Sequence, residues 1–215
     1  MFKKKNLTLY LSISFIITFI VWTFLVAYVD VKPIGPNGSK VGFSWLNSAI
    51  NRLIGTHLTL YTVTDWLGLV PIIIALGFGV LGFLQLVERK SILKVDSDIL
   101  VLGVYYVIVF CVYALFEFVV INYRPILLDG RLEPSYPSST TMLATCVMPT
   151  AILQFKRRIS NIKIKNTAVI LSAIFTFFMV IARLFSGVHW FSDIAGGLLF
   201  SVGAVLAYFT VIARG

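Results

Sequence analysis

The stretch LTLYLSISFIITFIVWTFLVAYV, residues 7–29, contains no charged side chain, and five further apolar runs follow it along the chain. A run of about 18 apolar residues or more can cross a hydrocarbon core roughly 30 Å thick. The other runs lie at 67–87, 99–121, 139–155, 166–184 and 191–212. The pattern predicts an all-α polytopic membrane protein, a bundle of six transmembrane helices that forms one domain over residues 1–215.

The distribution of basic residues orients the predicted bundle. The chain has 18 Lys and Arg against 9 Asp and Glu, which gives a net charge of +9. If the N-terminus lies inside, 12 of those 18 basic residues fall in inner segments, namely Lys3, Lys4, Lys5, Arg89, Lys90, Lys94, Lys156, Arg157, Arg158, Lys163, Lys165 and Arg214. The positive-inside rule therefore predicts two cytoplasmic termini in a protein of the plasma membrane. We expect membrane lipids, and no nucleic acid, to be the partners of these basic segments.

The segment between the first two runs, residues 30–64, is predicted to lie on the outer side. Within it, apolar residues recur at helical spacing opposite polar ones, a pattern typical of a short helix in the membrane interface. The apolar set is Leu46, Ala49, Ile50, Leu53 and Ile54, and Trp45 and Trp66 would anchor the segment at the interface. The segment is interpreted either as a packing element or lid, or as a gate that contacts substrate.

The second outer segment, residues 122–141, contains residues suited to phosphate. Arg124 ends the third run, and Ser138 is a natural N-cap for the helix of the fourth run. The amides of Ser139 and Thr140 would then face outward at the positive end of a helix dipole, where phosphate binds readily. Ordinary helix capping also explains these residues. The arginine at the same membrane face is the observation that favours a phosphate site over a simple helix cap.

The same face receives a second set of polar residues from ARLFSGVHWFSDIAGG, residues 182–197. Arg183 ends the fifth run, while His189 and Asp193 stand at the start of the sixth, four residues apart on one helical face. The carboxylate could fix one imidazole nitrogen and leave the other free to attack, and the arginines could hold phosphate oxygens. A purely structural network of capping ion pairs is the alternative.

These motifs resemble those of the type-2 phosphatidic acid phosphatase family, the membrane relatives of vanadium haloperoxidases. The spacing R-x5-H-x3-D of Arg183, His189 and Asp193 is similar to the third signature of that family. Arg124-Pro125 resembles the end of the first signature, K-x6-R-P, and Pro137-Ser138 resembles the beginning of the second, P-S-G-H.

The resemblance implies a two-step phosphoryl transfer on lipid phosphates at the outer membrane face, without metal or other cofactor. It implies that His189 is the nucleophile and that Asp193 orients it. The phosphate would be bound by Arg124 and Arg183 together with the helix start at Ser138, Ser139 and Thr140.

Two positions depart from the family pattern. Glu117 stands where the first signature has lysine, and we expect it to pair with Arg124 or Arg183 or to be protonated by burial. Thr140 stands where the second signature has the histidine that protonates the leaving group, and a hydroxyl is too weak an acid for that role.

These departures leave two hypotheses for the function. The protein is a lipid phosphatase or diphosphatase, or it is a protein that binds lipid phosphates with impaired hydrolysis. Because a diphosphate expels a weakly basic phosphate group, loss of the acid favours a lipid diphosphate, such as a polyprenyl diphosphate, over a monophosphate.

Overall fold

The computed structural model describes residues 2–213, with side chains from residue 6 onward, so that Lys3, Lys4, Lys5 and Arg214 are not described as side chains. Within this range the chain forms eight α-helices and no β-strand. The helices are α1 (Phe2–Tyr28), α2 (Ser44–Ile54), α3 (Leu58–Leu67), α4 (Leu69–Arg89), α5 (Ser97–Phe118), α6 (Ser139–Arg158), α7 (Ile162–Phe185) and α8 (Phe191–Ile212).

Five of the predicted membrane spans are confirmed as long apolar helices in the described part of the chain. These candidate spans are Asn6–Tyr28, Leu58–Arg89, Ser97–Phe118, Ile162–Phe185 and Phe191–Ile212. Their exposed surfaces are rich in large apolar side chains, as expected where helices face lipid. The chain is therefore an integral multi-pass membrane protein.

The predicted fourth span differs from the other five. Residues Ser139–Arg158 form a helix of 20 residues, but its composition is too polar to meet the same criteria of length and apolarity. Helix α6 packs against α4, α5, α7 and α8, and eleven of its residues are buried. Because its neighbours shield it from lipid, α6 can carry threonines, such as Thr145 and Thr150, that bond to carbonyl groups one turn earlier.

The second apolar run also differs from the prediction, because its helix begins earlier. Helices α3 and α4 form one apolar stretch from Leu58 to Arg89, so the segment assigned to the outer loop at 30–64 ends inside a helix. The polar residues of α3, among them Thr64 and Asp65, obscured the apolar pattern. One of them, Thr64, is fully buried and therefore has a structural role inside the bundle.

The two ends of the bundle have different ionic groups. At one end, Asp96 precedes α5 and accepts hydrogen bonds from Arg89, at 2.7 Å, and from Arg158, at 2.8 Å. These bonds from arginine lower the pKa of Asp96. Asp98 forms a further ion pair with Arg158 at 2.6 Å. The opposite end, where α5 and α7 finish and α6 and α8 begin, holds the residues of the predicted phosphate site.

Candidate active site

A short hairpin places Arg124 beside the other site residues. Asp129 and Gly130 both have positive φ, 49° and 73°, and the amide and carbonyl groups of Leu128 and Arg131 bond to each other. This is the geometry of a two-residue hairpin loop, for which the sequence Asp-Gly is a strong signal that the sequence analysis missed. The hairpin continues to a bond from the Arg124 amide to the Glu133 carbonyl, at 3.0 Å.

Arg124 makes two side-chain contacts that define the site. Its Nη1 donates to Nε2 of His189 at 3.0 Å, and its Nε donates to Oε2 of Glu133 at 3.1 Å. The carboxylate partner of Arg124 is therefore Glu133, nine residues away in the same hairpin, and not Glu117 as expected.

His189 is buried, and its ring is held on both sides. Its Nδ1 lies 3.1 Å from the carbonyl oxygen of Ser135, and the other ring nitrogen faces Arg124. Arginine can only donate, so Nε2 accepts and Nδ1 carries the proton that it donates to Ser135. Burial, followed by the charges of Arg124 and Arg183, lowers the pKa of His189 well below its ordinary value. The site thus contains a neutral imidazole whose Nε2 lone pair faces the arginines.

Asp193 lies near His189 without a hydrogen bond to it. Its Oδ2 is 3.7 Å from Nδ1 of His189, but that oxygen accepts from the amide of Trp190 at 3.0 Å. Its Oδ1 accepts from Nδ2 of Asn122 at 3.1 Å. The Ser135 carbonyl therefore orients the imidazole in this structure, and the Asp193 carboxylate caps α8 and places a negative charge beside the ring.

The segment from α2 to the start of α3 contacts the loop that connects α7 to α8 and the first turn of α8. The side chain of Asn47, on α2, accepts from the amide of Ser192 at 3.1 Å and donates to its hydroxyl at 2.9 Å. The His57 amide donates to the Ser186 carbonyl at 2.9 Å. Gly187 has φ of 68°, and a Cβ there would collide with the Gly55 carbonyl, so close backbone approach requires glycine. These contacts make α2 a packing element of the site.

Arg183 is a buried cation with incomplete neutralisation. Its side chain is 1% exposed, Nη1 donates to Oγ1 of Thr64 at 3.1 Å, and Nη2 lies 3.7 Å from an oxygen of the exposed Asp65. The Tyr61 ring centroid is 4.8 Å from its Cζ. Among the described residues, its Nε has no hydrogen-bond partner. A buried guanidinium with an unpaired donor is costly unless a further anion neutralises it.

The start of α6 supplies further donors. Ser138 occupies the N-cap position, with its amide bonded to the Asp193 carbonyl at 3.1 Å and its hydroxyl directed to Thr141 Oγ1 at 3.0 Å. Since no side-chain cap bond is made to this helix start, the first-turn amides of Ser139 and Thr140 remain available to a ligand. The Thr140 side chain itself is buried, and its Cγ2 faces Gly68 at the junction of α3 and α4.

Glu117 lines the same pocket as Arg124, Ser139 and His189. It is exposed and interacts with the hydroxyl of Tyr113, one turn earlier on α5. The described residues contain no ion pair between Glu117 and either arginine, because Glu133 and Asp65 occupy those places. The expectation that Glu117 pairs with an arginine is therefore wrong, and so is the expectation that its side chain is buried.

The predicted site residues thus converge at one end of the bundle, and the structure adds others that no motif indicated. The additions are Asn47, Tyr61, Thr64, Asp65, Asn122, Glu133 and Ser135. Most of these contacts join residues far apart in sequence, so only the Asp-Gly hairpin signal could have indicated any of them beforehand.

Comparison with known proteins agrees with this arrangement. The crystal structure of the first transmembrane PAP2 type phosphatidylglycerolphosphate phosphatase from Bacillus subtilis superposes with a TM-score of 0.62 at 20% identity, over 95% of this chain and 96% of that one. At this identity the similarity shows a shared fold. No curated protein sequence matches the chain significantly. The sequence model of the PAP2 superfamily matches residues 99–214, which include Arg124, Arg183, His189 and Asp193, and the chain belongs to that superfamily.

Proposed function

We propose that the protein is a membrane lipid phosphatase or diphosphatase that acts at the outer membrane face through a phosphohistidine at His189. The observation that carries the proposal is a neutral, buried imidazole that accepts from Arg124, in a site whose second arginine, Arg183, lacks full neutralisation. Arg183 is 1% exposed and has an unpartnered Nε. A tetrahedral phosphate would provide the negative charge and the acceptors that this cluster needs.

In the first step, Nε2 of His189 attacks phosphorus while the bond to the leaving oxygen breaks. Arg124 now donates to that nitrogen at 3.0 Å, so its Nη1 has to transfer to a phosphate oxygen when substrate binds. The Ser135 carbonyl keeps the ring in its tautomer, and the Asp193 carboxylate, 3.7 Å from Nδ1, stabilises the cationic ring of the phosphohistidine.

The equatorial oxygens of the transferring group would be bound by Arg124, by Arg183 and by the first-turn amides at Ser139 and Thr140. Fixed donors of this kind stabilise charge that develops in the transition state. Water then attacks the phosphohistidine in the second step, and His189 regains its lone pair when phosphate departs.

The outer location rests on the charge distribution of the chain. The site lies at the end of the bundle opposite to the cluster of Arg89, Asp96 and Arg158, and the basic segments favour that cluster as the cytoplasmic end. The proposal therefore includes six spans, with α6 as the shielded one, and both termini inside.

The proposed substrate preference follows from Thr140. The aliphatic hydroxyl of threonine is too weak an acid to protonate an alkoxide efficiently, and general acid catalysis is typically worth about 10²- to 10⁴-fold. The missing acid should slow hydrolysis of a lipid diphosphate, such as a polyprenyl diphosphate, less than hydrolysis of a monophosphate, because the phosphate leaving group is a weak base. Two observations favour a second candidate function, which is binding of lipid phosphates without efficient turnover. One is threonine at position 140 in place of the family's histidine, and the other is the contact of Arg124 with the lone pair of His189.

Phosphate release by purified protein in mixed micelles tests the proposal and separates the two candidates. A panel of lipid monophosphates and diphosphates should give turnover that disappears in His189→Ala. Substrate binding without phosphate release by the wild type would support the binding protein. Release that survives in His189→Ala would contradict the phosphohistidine.

A further inference from the structure

The first chemical step requires a proton for the leaving oxygen. The family pattern has a histidine for this role, but this chain has Thr140 at that position, and its hydroxyl cannot supply the proton. Thr140 is 8% exposed, and its methyl group faces Gly68 at the end of α3. A histidine at position 140 would therefore lie against α3, and α3 is the element on which a substitute acid would be near the same reacting atoms.

Tyr61 is the residue of α3 whose ring packs on the guanidinium of Arg183. Its ring lies over Arg183, with the centroid 4.8 Å from Cζ, and Thr64 one turn later bonds the same guanidinium at 3.1 Å. Tyr61 thus packs directly against one of the two guanidinium groups that would bind the phosphate.

The neighbouring ionisable groups are less suited to donate a proton. Glu133 and Asp65 each form an ion pair with an arginine, at 3.1 Å and 3.7 Å, so these carboxylates serve as partners of the cations. His57 is exposed, and its Nε2 lies 3.0 Å from the Ile54 carbonyl. Glu117 is an exposed carboxyl that faces Tyr113 on α5. A phenol, by contrast, carries its proton at neutral pH and serves as a general acid in other sites.

We infer that the Tyr61 hydroxyl protonates the leaving oxygen of the substrate in place of the missing histidine. This inference rests on the proposed function. As His189 Nε2 forms its bond to phosphorus, the phosphorus–oxygen bond breaks and the departing oxygen takes the phenolic proton. The adjacent guanidinium of Arg183 stabilises the phenolate. In the second step, the phenolate accepts a proton from water, the oxygen of that water bonds to phosphorus, and the phosphorus–nitrogen bond breaks.

The strength of this acid predicts an intermediate substrate preference. A phenol, with an ordinary pKa of about 10, is a weaker acid than an imidazolium, with about 6.5. Tyr61 therefore supports hydrolysis of monophosphates less effectively than a histidine would. The protein therefore still prefers a lipid diphosphate over a monophosphate, and loss of the Tyr61 hydroxyl should increase this preference.

Two substrates that differ only in their leaving group test the inference in Tyr61→Phe. An alkyl phosphate expels a strongly basic alkoxide, whereas p-nitrophenyl phosphate expels a weakly basic phenolate that needs no proton. We expect kcat/KM for the alkyl phosphate to fall about 100-fold, which is the lower range for loss of a general acid. Turnover of p-nitrophenyl phosphate should change little. In the double variant, Thr140→His should restore much of the loss on the alkyl phosphate.

Tyr28→Phe is the matched control, since Tyr28 is exposed at the outer end of α1 and should leave both rates unchanged. An equal fall in kcat/KM for both substrates in Tyr61→Phe, or no fall for the alkyl phosphate, would overturn the inference. The proposed function would still stand if the wild type hydrolyses p-nitrophenyl phosphate. Absence of His189-dependent turnover of either substrate by the wild type would overturn both.

Discussion

Replacement of Arg183 by methionine should make the ligand-free protein more stable and its response to phosphate weaker. The guanidinium is 1% exposed, holds one hydrogen bond of 3.1 Å, and faces a carboxylate at 3.7 Å that is itself 57% exposed. Its Nε has no partner among the described residues. Exchange of poorly compensated buried charge for an apolar side chain of similar length should stabilise the ligand-free protein by about 1 kcal/mol.

The expected change in phosphate binding follows from the lost donors. A guanidinium that contributes two charge-assisted bonds at about 1.5 kcal/mol each accounts for about 100-fold in Kd. Phosphate at about 100 times the wild-type Kd stabilises the wild type by about 2.7 kcal/mol, and at the same concentration stabilises the variant by only about 0.4 kcal/mol.

Thermal unfolding in detergent micelles, with and without inorganic phosphate, measures both effects. Arg52→Met, an exposed arginine on α2, is the control and should retain the phosphate response. An Arg183→Met protein that melts well below the wild type, or one with the full phosphate-induced shift, would refute the reasoning.

Three further predictions concern the pH profile and the two departures from the family motifs. The folded protein lowers the pKa of His189, so its imidazole stays neutral at pH values where a free histidine would be protonated. As pH falls through the ordinary histidine pKa of about 6.5, kcat/KM should therefore stay level and decline only at lower pH. A decline centred at about 6.5 would contradict the environment assigned to His189. Glu117→Lys should tighten binding of inorganic phosphate measured by calorimetry, because a cation replaces a carboxylate that lines the pocket of His189; unchanged affinity would reject this role. Thr140→His should raise kcat/KM for a lipid monophosphate at least about tenfold and affect a matched diphosphate much less; equal effects would count against the leaving-group argument.

The helices of the bundle could be predicted from sequence because each apolar run is long and uninterrupted. Helix α6 shows the limit of that signal, since a helix surrounded by other helices needs no apolar surface and carries residues such as Thr145 and Gln154. The start of α3 was missed for a related reason: Thr64 and Asp65 reduce its apolar character, although Thr64 is buried against Arg183.

The motif residues of the site could be predicted, whereas their partners could not. Spacing along the chain predicts a shared helical face for His189 and Asp193, but His189 lies in the loop before α8, which begins at Phe191. Spacing also does not show that other donors occupy the carboxylate and leave the imidazole to the Ser135 carbonyl. The contact of Asn47 with Ser192 spans 145 positions, and the one of Arg183 with Thr64 spans 119. Such pairings depend on how the helices pack, and a single sequence contains no local pattern for them.

A covalent phosphohistidine at His189 is the intermediate on which the proposed mechanism depends, and acid-labile labelling detects it. Purified wild-type protein is mixed with a lipid diphosphate labelled with ³²P in its terminal phosphate, quenched within one turnover in alkali, and separated from free lipid. We expect protein-bound phosphate that survives alkali, is released by mild acid, maps to the peptide containing His189 and is absent in His189→Ala. Full release of product within one turnover, with no labelled protein at any time, would contradict it.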